Sequence, residues 1–154
     1  MTRRILAATV VACIFTASHW ARAQQATVFH GDDAKWGPGP SSAPTGALLA
    51  GVVGDPAKEG SYVIRMKAPA GYKVGPHVHP NDENVTVLSG MFHIGFGDTF
   101  DESKAHVVKP GGFVLVPKGV QHFAWASEET VIHLHGVGPQ SITYLIPADD
   151  PRKK

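Results

Sequence analysis

The chain has 154 residues, enough for one domain with short flanking segments. Fourteen Lys+Arg against thirteen Asp+Glu give a net charge of +1, so there is no basic footprint for nucleic acid or an anionic membrane surface. A single Cys excludes an intrachain disulfide framework and a thiolate metal cluster, while 17 Gly and 12 Pro argue for short strands and turns over a helical bundle.

Met1 to Ala23 has the pattern of an export signal. Arg3 and Arg4 give a positive start, Ile5 to Ala17 is uncharged and mostly apolar, and Ala21-Arg22-Ala23 has the small-x-small form of a cleavage site. The Arg3-Arg4 pair loosely resembles a twin-arginine signal, and Val10 to Cys13 loosely resembles a lipoprotein box, although Ile14-Phe15 continues the apolar run where a polar start is needed. The run is shorter than the roughly 20 residues that span a bilayer. Cleavage after Ala23 leaves 131 residues with 11 basic and 13 acidic side chains and no thiol, compatible with an oxidising periplasmic or secreted location.

Gln24 to Thr45 is polar and broken by Pro38, Pro40 and Pro44, which predicts an irregular arm along the surface. From residue 46 to 148 apolar runs alternate with turn residues. Strands are expected at Leu48–Val53, Tyr62–Lys67, Val85–Leu88, Phe92–Phe96, Val107–Val108, Phe113–Val116, Gln121–Trp125, Val131–His135 and Ile142–Ile146. Such spacing points to an all-β sandwich or barrel. Asp149 to Lys154 is expected to be a polar, solvated tail.

Two clusters carry chemistry. In Gly71 to Gly90, His77 and His79 are two apart, so on a strand both imidazoles point to one face. The turn Pro80-Asn81-Asp82 can bring Glu83 back beside them, with Asp82 the less favoured acid. In Gly111 to His122, a Pro/Gly turn precedes a further strand histidine, His122. Three imidazoles and a carboxylate suit one divalent transition metal ion, Mn, Fe, Ni, Cu or Zn, and suit Ca or Mg poorly.

The clusters resemble the paired motifs of the cupin superfamily. The first is complete: Gly71, five residues, His77-Val78-His79, three residues, Glu83, six residues, Gly90. The second has Gly111, Pro117, Gly119 and His122 at the required spacing, with Ala126 where the family has Asn. The resemblance implies a double-stranded β-helix, the jelly roll or cupin barrel, with a metal at its mouth held by His77, His79, Glu83 and His122. It leaves the reaction open: a dioxygenase-like oxidoreductase is the favoured enzyme reading, a metal-dependent lyase or isomerase and a non-catalytic binding or sensing module are the alternatives.

Beyond the metal ligands, Glu83 doubles as the candidate base. His133 and His135, either side of Leu134, form a second histidine pair two apart. Either both look into the barrel or both face solvent, and His135 is the candidate pocket and catalytic residue. Tyr62, Ile64 and Met66 form the better inward face of their strand, leaving Arg65 outside, and Phe113, Phe123 and Trp125 are candidates for pocket lining or core. A small-molecule substrate or ligand is the expected partner, a homodimer through sheet edges is open, and neither nucleic acid nor, after signal removal, a membrane is expected.

Overall fold

The computed structural model describes residues 26–154; the expected export signal lies outside the described residues. Among the described residues, eleven strands form two antiparallel sheets. The strands are β1 (Gly37–Pro38), β2 (Leu48–Val53), β3 (Gly60–Ala68), β4 (Lys73–Val78), β5 (Glu83–Ser89), β6 (Phe92–Phe96), β7 (His106–Val108), β8 (Phe113–Val116), β9 (His122–Ala126), β10 (Thr130–Gly138) and β11 (Thr143–Tyr144). The first sheet runs β1-β2-β3-β10-β5-β8 and the second β11-β4-β9-β6-β7. This is the expected all-β jelly roll.

The two sheets close over a core of Val85, Val87, Phe92, Ile94, Val116, Ala124 and Ile132. Period-2 alternation decides which side chains enter it. On β5 it sends Glu83, Val85 and Val87 to the same face, and on β10 it sends Ile132 and Leu134 inward. His133 and His135 therefore face outward. His133 Nε2 accepts from Arg65 Nε at 3.0 Å, and the His135 ring lies 6.2 Å from that of half-exposed Phe113. The assignment of His135 to the pocket is corrected: the inner face of β10 is claimed by its two aliphatic neighbours.

Strand β9 is buried on both faces. His122, Ala124 and Ala126 look inward, whereas the Phe123 and Trp125 rings pack against Phe100, and that of Trp125 also against His93, with Lys73 lying over Phe100; Trp125 also borders the interior cavity. Phe113 is exposed on the edge strand β8, away from the residues that line the cavity beside the histidines.

Both chain ends are more structured than their composition suggests. Within the arm, Gly37–Pro38 pairs with β2, and Phe29 and Trp36 lie over the Arg65 and Lys67 side chains of β3. The C-terminal segment is exposed at Arg152, Lys153 and Lys154 but ordered: it forms two short 3-10 turns, Pro147–Asp149 and Pro151–Lys153, and Asp150 is buried. The guanidinium of Arg152 donates to both Asp150 oxygens at 2.7 and 2.9 Å and reaches Ile142 O, and this pairing holds the Asp150 carboxyl below its ordinary pKa.

Gly90 shows what the motif spacing encodes. It has φ of 79°, and a Cβ there would overlap the Glu129 carbonyl oxygen. Gly90→Ala is expected to destabilise the fold by about 2–4 kcal/mol, combining left-handed strain with overpacking. Thermal unfolding checks this; an unchanged melting temperature would remove the explanation of why glycine stands there.

Candidate metal centre

The site is assembled from three separate pieces of chain. His77 lies on β4, His79 one residue past its end, and His122 opens β9, while Glu83 opens β5 in the opposite sheet. Strand alternation alone does not align them. Between β4 and β9 the register runs Val74↔Ala124 and then His77↔His122, three residues on one strand against two on the other. A β-bulge at Gly75-Pro76 thus shifts the phase, so that Val74, His77 and His79 all line the interior. Proline is tolerated there because a bulge needs no ladder donor, and Pro76 O instead accepts from Leu145 N at 2.9 Å. The result is a direct cross-strand pair, His77 with His122, whose ring centroids are 4.1 Å apart.

Each imidazole is held from behind. Nδ1 of His77 donates to Gly75 O at 2.8 Å, Nδ1 of His79 to Ser141 O at 2.7 Å and Nδ1 of His122 to Val120 O at 3.0 Å. A carbonyl only accepts, so each of the three rings carries a proton on Nδ1 and turns Nε2 toward the shared space. One ligand atom from each ring lies within 4.8 Å of the others, and all three residues are buried. Nε2 of His79 is a buried nitrogen with no hydrogen-bond partner. Metal–nitrogen bonds of about 2.0–2.1 Å place neighbouring ligand atoms roughly 3 Å apart, within reach of small ring rotations. The donor chemistry, the orphaned nitrogen and the carbonyl-fixed tautomers all fit a divalent transition metal ion.

Glu83 faces the same space. Its carboxylate oxygens lie 3.4 Å from His79 Nε2 and 3.6 Å from His122 Nε2. Burial raises the Glu83 pKa, but the imidazoles of His122, His79 and His77 outweigh it and hold the carboxyl below its ordinary value. Asp82 is used elsewhere: its Oδ1 accepts from Lys118 N at 2.8 Å, and Gly119 N donates to His79 O, which ties the two sequence motifs together. Ala126, at the position where the second motif departs from its pattern, bonds through its backbone to Gly71 and Tyr72, with its methyl buried against Ala47, Ala68 and Tyr72.

Above the histidines opens a cavity of about 670 Å³, within the size range of small-molecule sites. Leu49, Tyr62, Ile64, Met66, Ile94 and Leu134 make much of its wall. Tyr62, Ile64 and Met66 are the inward set expected on β3. Burial, reinforced by the Glu83 charge and only partly opposed by the nearby Gln140 amide, pushes the Tyr62 hydroxyl up to about 12, so it stays protonated and able to donate. Gly39, Pro40, Ser42 and Ala43 of the arm and Gln140, Ser141 and Ile142 of the loop after β10 complete the wall. These loop contributors carry no periodic signal in the sequence.

Two outcomes follow for the centre. His77→Ala or His122→Ala is expected to abolish stoichiometric metal uptake, read by elemental analysis of the purified protein; full metal content in either variant would remove that residue as a ligand. In the metal-free protein, desolvation and the neighbouring imidazoles of His122 and His79 lower the His77 pKa from 6.5 to about 3. The unfolded chain then binds a proton that the folded state refuses, so metal-free stability is full above pH 6.5 and falls as pH drops from 6.5 towards 3. Urea titrations across that window test this; a flat profile would show His77 is not buried neutral.

Comparison with known proteins agrees with the architecture. The family profile described as "Cupin domain" matches residues 64–136, the segment holding all four candidate ligands. A 53-residue stretch is 42% identical to a germin-like protein of Arabidopsis thaliana, covering 34% of this chain and 24% of that protein, so the chain matches about a quarter of that curated relative's length. Among solved structures, a conserved protein of unknown function from Streptococcus pyogenes is 26% identical with a TM-score of 0.50, over 61% of this chain and 75% of that one. A protein described as a candidate acetylacetone dioxygenase from Methylibium petroleiphilum is 18% identical with a TM-score of 0.64, over 83% of this chain and 86% of that one. The polyketide cyclase RemF from Streptomyces resistomycificus is 16% identical with a TM-score of 0.64, over 82% and 90%. The last two likenesses concern the fold. With its two closed sheets, its paired motifs and the profile match across residues 64–136, the chain forms a single cupin domain.

Proposed function

We propose that this cupin is a metal-dependent enzyme acting on a small, largely apolar organic substrate, with oxidation by dioxygen the favoured reaction. The observation that carries the reading is the convergence of three buried imidazoles, each fixed by its own carbonyl, at the inner end of a cavity of about 670 Å³. His77, His79 and His122 would hold the ion, with Glu83 as the fourth ligand. A bound ion of this class supplies Lewis-acid polarisation and, when it is Fe, Cu, Mn or Ni, access to dioxygen chemistry.

The chain's own groups divide the remaining work. The aliphatic wall of Ile64, Met66, Ile94 and Leu134 receives the apolar body of the substrate and excludes water. The Glu83 carboxylate, beside the histidines and ionised, is placed to take a proton from an acidic O–H or C–H of the bound molecule. The Tyr62 hydroxyl, kept protonated on the same wall, can donate to a substrate oxygen. With His135 on the outer face, Glu83 is the principal candidate base, and that economy is the observation favouring the second reading, a binding module without turnover.

We further propose that the chain is exported, supported by the sequence pattern of Met1 to Ala23. Mature protein recovered from outside the cytoplasm is expected to begin at Gln24; a Met1 start there would overturn the assignment.

The metal-loaded protein is expected to consume dioxygen and substrate together on a panel of β-diketones, oxalate-like acids and phenols. Substrate loss without oxygen uptake would replace the oxidation with lyase or isomerase work, and no loss across a fully metallated sample would leave the binding module. At saturating metal, Glu83→Gln is expected to lower kcat by about 10²–10⁴-fold, the usual worth of a positioned base; an unchanged rate would remove Glu83 from that role.

A further inference from the structure

Residues 141–152 supply no candidate ligand, yet they run directly behind two of the three histidines. Ser141 O accepts from His79 Nδ1 at 2.7 Å. Tyr144 on β11 stands opposite His77 in the sheet, and Leu145 N donates to Pro76 O, inside the β4 bulge, at 2.9 Å. The Asp149 side chain lies on Gly75, whose carbonyl fixes His77 Nδ1; a Cβ at Gly75 would overlap the Asp149 carboxylate. His122 is held from elsewhere, by Val120 O in the turn before β9.

Little within this segment fixes its own path. β11 has only two residues and forms the sheet edge beside β4, so its ladder bonds alone hold it weakly. Closure comes from the far end. Arg152 donates from Nε and Nη2 to the two carboxylate oxygens of Asp150, at 2.7 and 2.9 Å, and from Nη2 to Ile142 O at 3.3 Å. One guanidinium thereby joins the last turn to the residue that follows Ser141. Asp150 is buried, and Arg152 N gives its carboxylate a further hydrogen bond at 3.0 Å. Removing the guanidinium would leave a buried carboxylate without its countercharge, which the turn relieves by opening to water.

We propose that Arg152 is a positioning residue for His77 and His79: by clasping Asp150 to Ile142 O it closes residues 142–152 into a brace that sets where Ser141 O and the Gly75-Pro76 bulge hold the two imidazoles. The use of those imidazoles as metal ligands rests on the functional reading above; the brace itself does not. Partners behind a ligand histidine fix its ring orientation and weigh on metal affinity. Arg152 acts one contact further out, through the carbonyls.

The test compares purified wild-type protein, Arg152→Ala and Val87→Ala, the last a truncation in the core between the sheets. In the metal-free proteins, solvent exchange of the imidazole Nδ1–H protons is followed by NMR. Arg152→Ala is expected to speed exchange at His77 and His79 about ten-fold and to leave His122 at its wild-type rate. Val87→Ala lowers global stability and is expected to change all three alike. An equal change at all three histidines in Arg152→Ala, or none, would overturn the proposal. Arg152→Lys keeps the charge and loses the planar fork, so its exchange is expected between wild type and Arg152→Ala; full wild-type protection there would assign the effect to charge alone and remove the clasp. Zinc affinity, measured against a competing chelator, is expected to fall about ten-fold in Arg152→Ala and to hold in Val87→Ala. Wild-type affinity in Arg152→Ala would also overturn the positioning role. If the wild-type protein bound no zinc while the selective exchange pattern held, the metal reading would fall and the brace would stand.

Discussion

Three hydrogen bonds from imidazole Nδ1 to backbone carbonyls set the character of this protein. Each comes from a different local source: a bulge carbonyl at Gly75, a turn carbonyl at Val120 and a loop carbonyl at Ser141. Without them the buried rings could take either tautomer and rotate freely. With them, three Nε2 atoms point into one space, where burial and mutual proximity keep His77 neutral and leave His79 Nε2 without a hydrogen-bond partner. Burial of unsatisfied nitrogen is destabilising, and it is what makes the site ready for a cation.

The jelly roll supplies the geometry those bonds need. Sheet closure brings Glu83 from one sheet opposite histidines of the other, and the β4 bulge corrects the phase that plain alternation would leave wrong. The two motifs are also joined through backbone, Gly119 N to His79 O and Lys118 N to Asp82. Displacement of either motif would therefore disturb ligands in both. Stability and site are coupled here through the same few turns, which is why glycines at Gly71, Gly90, Gly111 and Gly119, all with positive φ, recur at motif positions.

The mouth of the cavity is built differently, from the arm and the two C-terminal segments. Tyr144 Oη donates to Ser42 O at 2.9 Å, tying arm to β11, and the Asp150–Arg152 pair holds the last turns against Ile142 O. These contacts shape the space above the histidines without contributing a ligand atom. The candidate metal ligands thus sit on or next to barrel strands, whereas the peripheral loops, Gln140 among them, line the space above.

The amino-acid sequence determined the strand series, the all-β class and the identity of the histidine cluster, because alternation, turn residues and fixed His/Glu spacings are local properties of the chain. Gly37–Pro38 carries no such signal because a two-residue strand has no period, and β4 carries little because its bulge interrupts one. Which face of β10 turns inward is not local information: His133-Leu134-His135 alternates equally well either way, and only packing of Ile132 and Leu134 into the core sends His135 outside. Likewise Asp150 and Arg152 read as a charged tail until tertiary contact gives them each other and a carbonyl. Local spacing names the atoms that can bind, but burial and facing direction are settled by what the rest of the chain has already occupied.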